Sequence, residues 1–217
     1  MKLNIWSDIR CPFCYIGKRK FEHALEKFDH RDKVEVVWRS FQLDPSLKTN
    51  PDMNAYDYLA KIKGMTREES VEMHAHVTQV AKDAGLSFHF DKTVVANSFN
   101  GHRLIQLAKR HGLGDAAEEE LFKAHFTLGN NIDDIETLVE IGVRIGLDED
   151  KVRTMLASSD CSEDVKRDET EARSIGIRGV PFFIFDDKFA VSGAQSSDTF
   201  LQTLEKAWEA YRVTQLD

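Results

Sequence analysis

The sequence predicts an α/β fold in which one sheet is assembled from both ends of the chain around a large helical insertion. Two observations carry this. Strand-like segments, of period 2 or continuously apolar, fall only near residues 2–41 and 180–192, and the chain between reads almost wholly as helix. Neither end holds enough strand to build a sheet by itself, so a single sheet made from both is the economical solution, with the helical block set into it as a lid. Such an insertion is tolerated because loop-closure entropy grows only logarithmically with length. The implied division is a discontinuous α/β domain, residues 1–44 and 166–217, and an inserted helical domain, residues 45–165.

The elements follow in order. Residues 2–6 form a strand with Leu3 and Ile5 on one face, and Ser7, Asp8 and Arg10 interrupt it as a loop. From Pro12 to about Phe28, Phe21, Leu25 and Phe28 recur at helical spacing. Pro12 suits the first turn, where its missing N–H would have had no intrahelical partner. Val34 to Phe41 is a second strand, and Pro45 and Pro51 mark a polar loop. The helical block runs from about Ala55 to Ile175. Tyr56, Leu59 and Ile62 give one stripe, ended by Gly64; Thr66 to Glu69 reads as a capping box whose helix Gly85 closes. Ser98 to His111 is a further helix, and Asp115, Asp133, Asp148 and Ser162 are read as caps of four more. Phe182 to Phe185 is a buried strand, Asp186-Asp187 a two-residue turn, and Phe189 to Val191 the returning strand. Ser197 is read as the cap of a last amphipathic helix carrying Phe200, Leu204, Ala207 and Trp208.

Composition narrows the function classes. The 217 residues include 29 Lys+Arg and 37 Asp+Glu, a net charge of -8, which argues against nucleic acid or an anionic membrane as the main partner. No apolar run approaches the ~20 residues of a membrane span. Hydrophobic content of 41% with 10% aromatic is that of a folded chain. Met1 to Asp8 lacks the apolar stretch of a signal peptide, so the cytoplasm is the expected location. Three cysteines are too few for a disulfide scaffold.

Their placement carries the chemistry. Cys11-Pro12-Phe13-Cys14 lies between a strand and a helix. Cys11 is at the helix N-terminus, where unpaired N–H groups and the dipole favour an anion. The i, i+3 spacing lets the two sulfurs join in a small ring. Cys14, one turn in, is the less accessible. An outer thiolate that attacks a disulfide and an inner thiol that resolves the mixed disulfide need no metal and no organic cofactor. A lone Cys-x-x-Cys is also half of a zinc site or a pair of inert core thiols; no second pair with ligand spacing accompanies it. Pro181, directly before a buried strand, marks an irregular approach to the sheet, and an ordinary trans proline fits there too.

Several motifs are familiar. Ser7-Asp8-x-x-Cys11-Pro12-Phe13-Cys14-Tyr15-Ile16-Gly17-Lys18 resembles the start of the DsbA-family oxidoreductases, specifically the FrnE-like branch. Gly179-Val180-Pro181-Phe182-Phe183-Ile184-Phe185 and Val191-Ser192-Gly193-Ala194-Gln195 resemble that branch's closing motif. Ala96-Asn97-Ser98-Phe99 with His102-Arg103, and Leu121-Phe122-Lys123-Ala124-x-Phe126, resemble its helical motifs. The resemblance implies a thioredoxin fold with an inserted helical domain. It implies that Cys11 is the nucleophile, Cys14 the resolving thiol and Pro181 a cis-proline facing them. Pro12 and Phe13 then border the substrate groove, and the Val180 backbone would pair with an extended substrate. Phe13 stands where periplasmic members carry His, which implies a less oxidising pair. Disulfide-containing proteins or small thiols are the implied partners.

The same branch is similar to 2-hydroxychromene-2-carboxylate isomerases and kappa-class glutathione transferases, which generally carry Ser at the outer cysteine position. Retention of both cysteines favours redox work. A glutathione-dependent isomerase or transferase, and a non-catalytic chaperone-like module, are the alternatives; glutathione also enters as a substrate or reductant. Asn97 matches an Asn that related enzymes turn to a ligand, and it also reads as a helix cap. Cys161 reads as a partly exposed bystander thiol, and the Glu118-Glu119-Glu120 run as a response to the helix dipole.

Overall fold

A computed structural model describes residues 1–214. A four-stranded sheet, β2-β1-β5-β6, joins the two ends of the chain. Strand β1 (Lys2–Ser7) lies parallel to β2 (Glu35–Ser40) and antiparallel to β5 (Phe182–Phe185), which pairs antiparallel with β6 (Phe189–Ser192). β1 is an interior strand and is buried on both faces from Leu3 onward, the polar Asn4 and Ser7 included. The β5–β6 turn places Asp186 and Asp187 at φ 50° and 54°, both left-handed, the geometry a two-residue hairpin needs.

One sheet face packs against α1 (Pro12–Lys27) and α9 (Ser197–Thr214). Phe21, Phe183 and Phe200 meet there with ring centroids 4.6–5.9 Å apart. The other face is covered by α8 (Ser162–Ser174), where Ala172 and Ile177 pack on Trp6. The Trp6 indole N–H donates to the Asp168 carbonyl. A boundary at 165/166 therefore falls inside α8. The helix packs as one piece against β2, so no break separates Val165 from Lys166. Residues 215–217 of the second α/β segment lie outside the described residues.

Between β2 and α8 come β3 (Asn50–Asn54), α2 (Ala55–Lys63), α3 (Arg67–Asp83), β4 (Val94–Val95), α4 (Phe99–Lys109), α5 (Gly114–Phe122), α6 (Ile135–Arg144) and α7 (Glu149–Ala157). The β3–β4 ribbon was not expected. Pro51 reads as a loop signal, yet here it sits in a short two-stranded sheet that has no neighbour on its outer side. Beyond α5 the chain widens into a π-helical turn, Lys123–Leu128. Leu104, Leu121 and Leu138 of the insertion share one continuous core with Leu3, Ile5 and Ile9. No described helix is long and apolar enough to cross a membrane.

The expected caps hold at Thr66, a full capping box, and at Asp148. Three others shift because the predicted residue is engaged elsewhere. Asp133 binds Thr49 and Asn100, and Asp134 caps α6. Ser197 donates to the Lys20 carbonyl, and Ser196 accepts from Thr199 N–H. Asp115 lies within α5, accepting from the Trp38 indole at 2.9 Å. Cys161 rather than Ser162 occupies the residue before α8, without a side-chain cap bond.

Candidate active site

Cys11 is the N-cap of α1, with extended backbone (φ −90°, ψ 111°) and no side-chain cap bond, so its thiol is not spent on the helix. Pro12 occupies the first turn as expected. The loop is held by the Cys11 N–H to the Asp8 carbonyl at 2.9 Å and the Cys14 N–H to the Cys11 carbonyl at 3.0 Å. Both cysteines are thiols. Across the site the Val180–Pro181 peptide bond is cis. The Cys11 thiol donates to the Val180 carbonyl at 3.6 Å, which brings residues from opposite ends of the chain into contact. Gly17 makes the approach possible, since a Cβ there would lie 3.0 Å from the Pro181 ring.

Cys14 is buried, and burial together with the neighbouring Cys11 pushes its thiol well above the usual range. Beneath it lies a polar group that joins the two halves of the fold. The Ser7 hydroxyl donates to Glu118 of α5 at 2.6 Å. Asp8 accepts from the Leu43 N–H at 2.8 Å and faces His102 Nε2 at 3.5 Å, an ion-pair distance rather than an aligned hydrogen bond. Burial opposes the charge on Asp8, but His102, the Leu43 amide and Arg10 outweigh it and hold the carboxyl below its ordinary range. The reciprocal attraction of Asp8 and Glu118 holds His102 above its ordinary range against burial. Burial raises Glu118 to about 7. Its place in the middle of α5, facing Ser7, corrects the dipole reading of the Glu118–Glu120 run.

On the other side, Cys11 opens on a cavity of about 360 Å3 between its loop and the insertion. Tyr58 and Leu59 of α2, Met73 and Val77 of α3, Phe90 and Phe126 form its apolar walls. Pro12 and Phe13 stand beside Cys11, and Phe13 is 41% exposed. Tyr15, by contrast, is buried and stacked on Phe122. Arg10 and His125 also line the cavity, and sequence reasoning passed over both. Adjacency to Cys11 was the one available signal for Arg10; His125 had none, because the π-helical turn sets its direction.

Asn97 does not line this cavity. Its carbonyl oxygen accepts from Phe99 N–H at 2.8 Å and from Gln42, and its amide donates to the Leu47 carbonyl at 2.7 Å. The side chain starts α4 and ties down the 42–49 loop, which corrects the ligand-facing expectation. Cys161 is buried rather than partly exposed, its thiol pushed up to about 11 by burial. Among the described residues, no group of three or more His, Cys, Asp or Glu is placed to hold a metal ion.

Comparison with known proteins agrees with this geometry. A protein of Bacillus subtilis, called uncharacterized protein YwbO, is 28% identical over 205 residues, covering 91% of this chain and 92% of its own. A crystal structure from Streptomyces coelicolor, described as a probable DsbA oxidoreductase, is 39% identical with a TM-score of 0.90, covering 96% of this chain and 90% of that one. The cytosolic disulfide reductase DsbM of Pseudomonas aeruginosa shares the fold at 18% identity and a TM-score of 0.64, over 100% of this chain and 98% of that one. It has also been solved with glutathione, and that structure matches at 19% identity with the same TM-score. The DSBA-like thioredoxin domain matches residues 2–205. With a sheet closed from both ends, a helical insertion and a cysteine pair at the α1 N-terminus, the chain belongs to the family of DSBA-like thioredoxin-domain proteins.

Proposed function

We propose that the protein is a thiol–disulfide oxidoreductase working through Cys11 and Cys14. The observation that carries this is the seating of the Cys11 thiol between the α1 N-terminus and the Val180 carbonyl, with Cys14 one turn behind it. The Cys11 thiolate attacks one sulfur of a substrate disulfide; a Cys11–substrate disulfide forms and the other sulfur leaves as a thiolate. Cys14 then loses its proton and attacks the Cys11 sulfur. The Cys11–Cys14 disulfide forms, the second substrate thiolate leaves, and two electrons have passed from protein to substrate. The reverse sequence oxidises a dithiol. A thiol reductant, with glutathione as a candidate, resets the pair. In a reducing compartment such as the cytoplasm the pair rests as a dithiol, which favours the reductive direction.

The test is the reduction potential of the pair. The protein is equilibrated in glutathione redox buffers, quenched by alkylation and weighed. A reversible two-electron transition between ~-120 and ~-270 mV, the span of dithiol catalysts, is expected. Absence of any Cys11–Cys14 disulfide across those buffers sinks the reading and brings the glutathione-isomerase alternative forward.

A further inference from the structure

We propose that the cavity beside Cys11 receives the organic body of a small acidic, aromatic thiol or its disulfide, making low-molecular-weight aryl disulfides a substrate class of this site. The inference rests on the oxidoreductase reading and adds what the cysteines act on. Cys11 has two neighbourhoods: the Val180 carbonyl lies on one side, and the cavity, which Val180 does not line, on the other. A volume of about 360 Å3 falls in the range of small-molecule sites. Its walls include the rings of Phe13, Tyr58, Phe90 and Phe126, which suit a planar apolar body.

Charge and unmet hydrogen bonds define the rest of the ligand. The Arg10 guanidinium stacks over the Tyr58 ring at 5.3 Å and enters no ion pair or side-chain hydrogen bond among the described residues. Lys63, also lining the cavity, is likewise unpaired among them. Asp8 and Asp44 feel the Arg10 charge, but neither lies within ion-pair distance of the guanidinium. Two cations without carboxylate partners, beside an apolar chamber in a chain of net charge -8, are fitted to an anion. His125 is 4% exposed, and its Nδ1 has no hydrogen-bond partner. A buried polar atom left unpaired is costly, and a polar substituent on the ligand would satisfy it. Burial, with Arg10 adding to it, holds His125 to about 3, so the ring is neutral and its cavity partner need not be an anion.

The reaction is that already written, with both halves of the disulfide specified. The Cys11 thiolate takes one aryl-thio group and releases the other as an aryl thiolate. Cys14 gives up its proton, closes the Cys11–Cys14 disulfide and releases the first aryl thiolate. Two molecules of a small thiol reduce the protein again.

The experiment measures stopped-flow oxidation of the reduced protein by 2,2′-dithiodibenzoate and by bis(2-hydroxyethyl) disulfide. Each rate is divided by that of free N-acetylcysteine with the same reagent, which removes the leaving-group effect. The expected ratio of the two normalised rates is on the order of tenfold in favour of the aryl dicarboxylate, as burial of one aromatic ring provides. Arg10→Gln should lower that ratio about two- to fivefold. Val77→Trp, which fills the chamber, should bring it towards unity, with Met73→Trp as the second variant should the first not fold. As a readout independent of sulfur, 2-naphthoate should bind Cys11→Ser protein and lose affinity when Val77→Trp is added. A ratio near unity in the unmodified protein overturns the substrate class, as does a high ratio that survives both Arg10→Gln and a filled cavity. If bis(2-hydroxyethyl) disulfide oxidises the pair but no aryl preference exists, the substrate class alone fails. If naphthoate binds but no Cys11–Cys14 disulfide forms with either reagent, the oxidoreductase reading fails and the substrate class with it.

Discussion

Glu118 sits where an ionised carboxylate is expensive. It is 1% exposed, and its partner is a hydroxyl rather than a cation. Its folded pKa of about 7 lies above the ordinary 4.5. Between those values the unfolded chain has released a proton that the folded chain still holds. Stability therefore falls as pH rises through that window and levels off above it, by about 3 kcal/mol. His102, Lys18 and Asp115 also face Glu118, so the clean measurement is a difference. Urea midpoints of wild type and Glu118→Gln across pH 4 to 8 should converge at the acid end and separate towards pH 7, with the variant the more stable. Parallel curves would remove Glu118 from the balance. The cysteines give a second residue-scale expectation. Cys11 lines an open cavity, whereas burial raises the thiols of Cys14 and Cys161. Mass-mapped alkylation at pH 7 should label Cys11 first; equal rates at all three positions would contradict the outer-nucleophile assignment. The position of Cys11, Pro12 and Cys14 at the start of α1 was legible in the sequence because helix ends are local, whereas the cis form of Pro181 came only through the family resemblance. Glu118 and the bonds of Asn97 to Gln42 and Leu47 were not, because those partners stand tens of residues away, and His125 was not, because the π-helical turn sets its direction.

At the scale of elements, α1 and α3 decide the shape of the site. Helix α1 must lie against the Pro181 loop, and Gly17 lets it do so. Gly17→Ala, which would crowd the Pro181 ring, should destabilise the fold by ~1–2 kcal/mol and lengthen the Cys11–Val180 separation. Unchanged urea stability with unchanged exchange rates would show that the loop simply gives way. Helix α3 supplies Met73 and Val77 to the cavity and is started by a reciprocal bond between Thr66 and Glu69. Thr66→Ala should cost ~1 kcal/mol by chemical denaturation. Local rules read these elements well. The capping box, the left-handed Gly64 and the hairpin at Asp186-Asp187 all lie where the sequence puts them. The β3–β4 ribbon escaped because its few hydrogen bonds join segments some 40 residues apart and neither carries an alternating pattern.

The molecule as a whole is tied across its insertion by Asp168. This buried carboxylate of α8 accepts from Arg39 at 2.9 Å and the Ser40 N–H at 3.1 Å on β2, and from Gln106 of α4 at 2.6 Å. Sheet and insertion also share one hydrophobic core. They should accordingly unfold together, as a single calorimetric transition with equal calorimetric and van't Hoff enthalpies. Asp168→Ala leaves Arg39 without its buried counter-charge and should cost ~3–5 kcal/mol. Two resolved transitions in the wild type would show that the insertion is held more loosely than this network implies.

The sheet order has a consequence for synthesis. Strand β1 leaves the ribosome with the cysteine pair directly behind it, while its antiparallel neighbour β5 is made roughly 175 residues later. At ~5–20 residues per second that is a delay of roughly 10–35 s. For that interval the nascent chain carries two thiols just behind a strand whose second edge is bare. The pair meets the cis-proline loop only when translation has nearly reached the last helix, so the candidate site is completed long after its two cysteines are made.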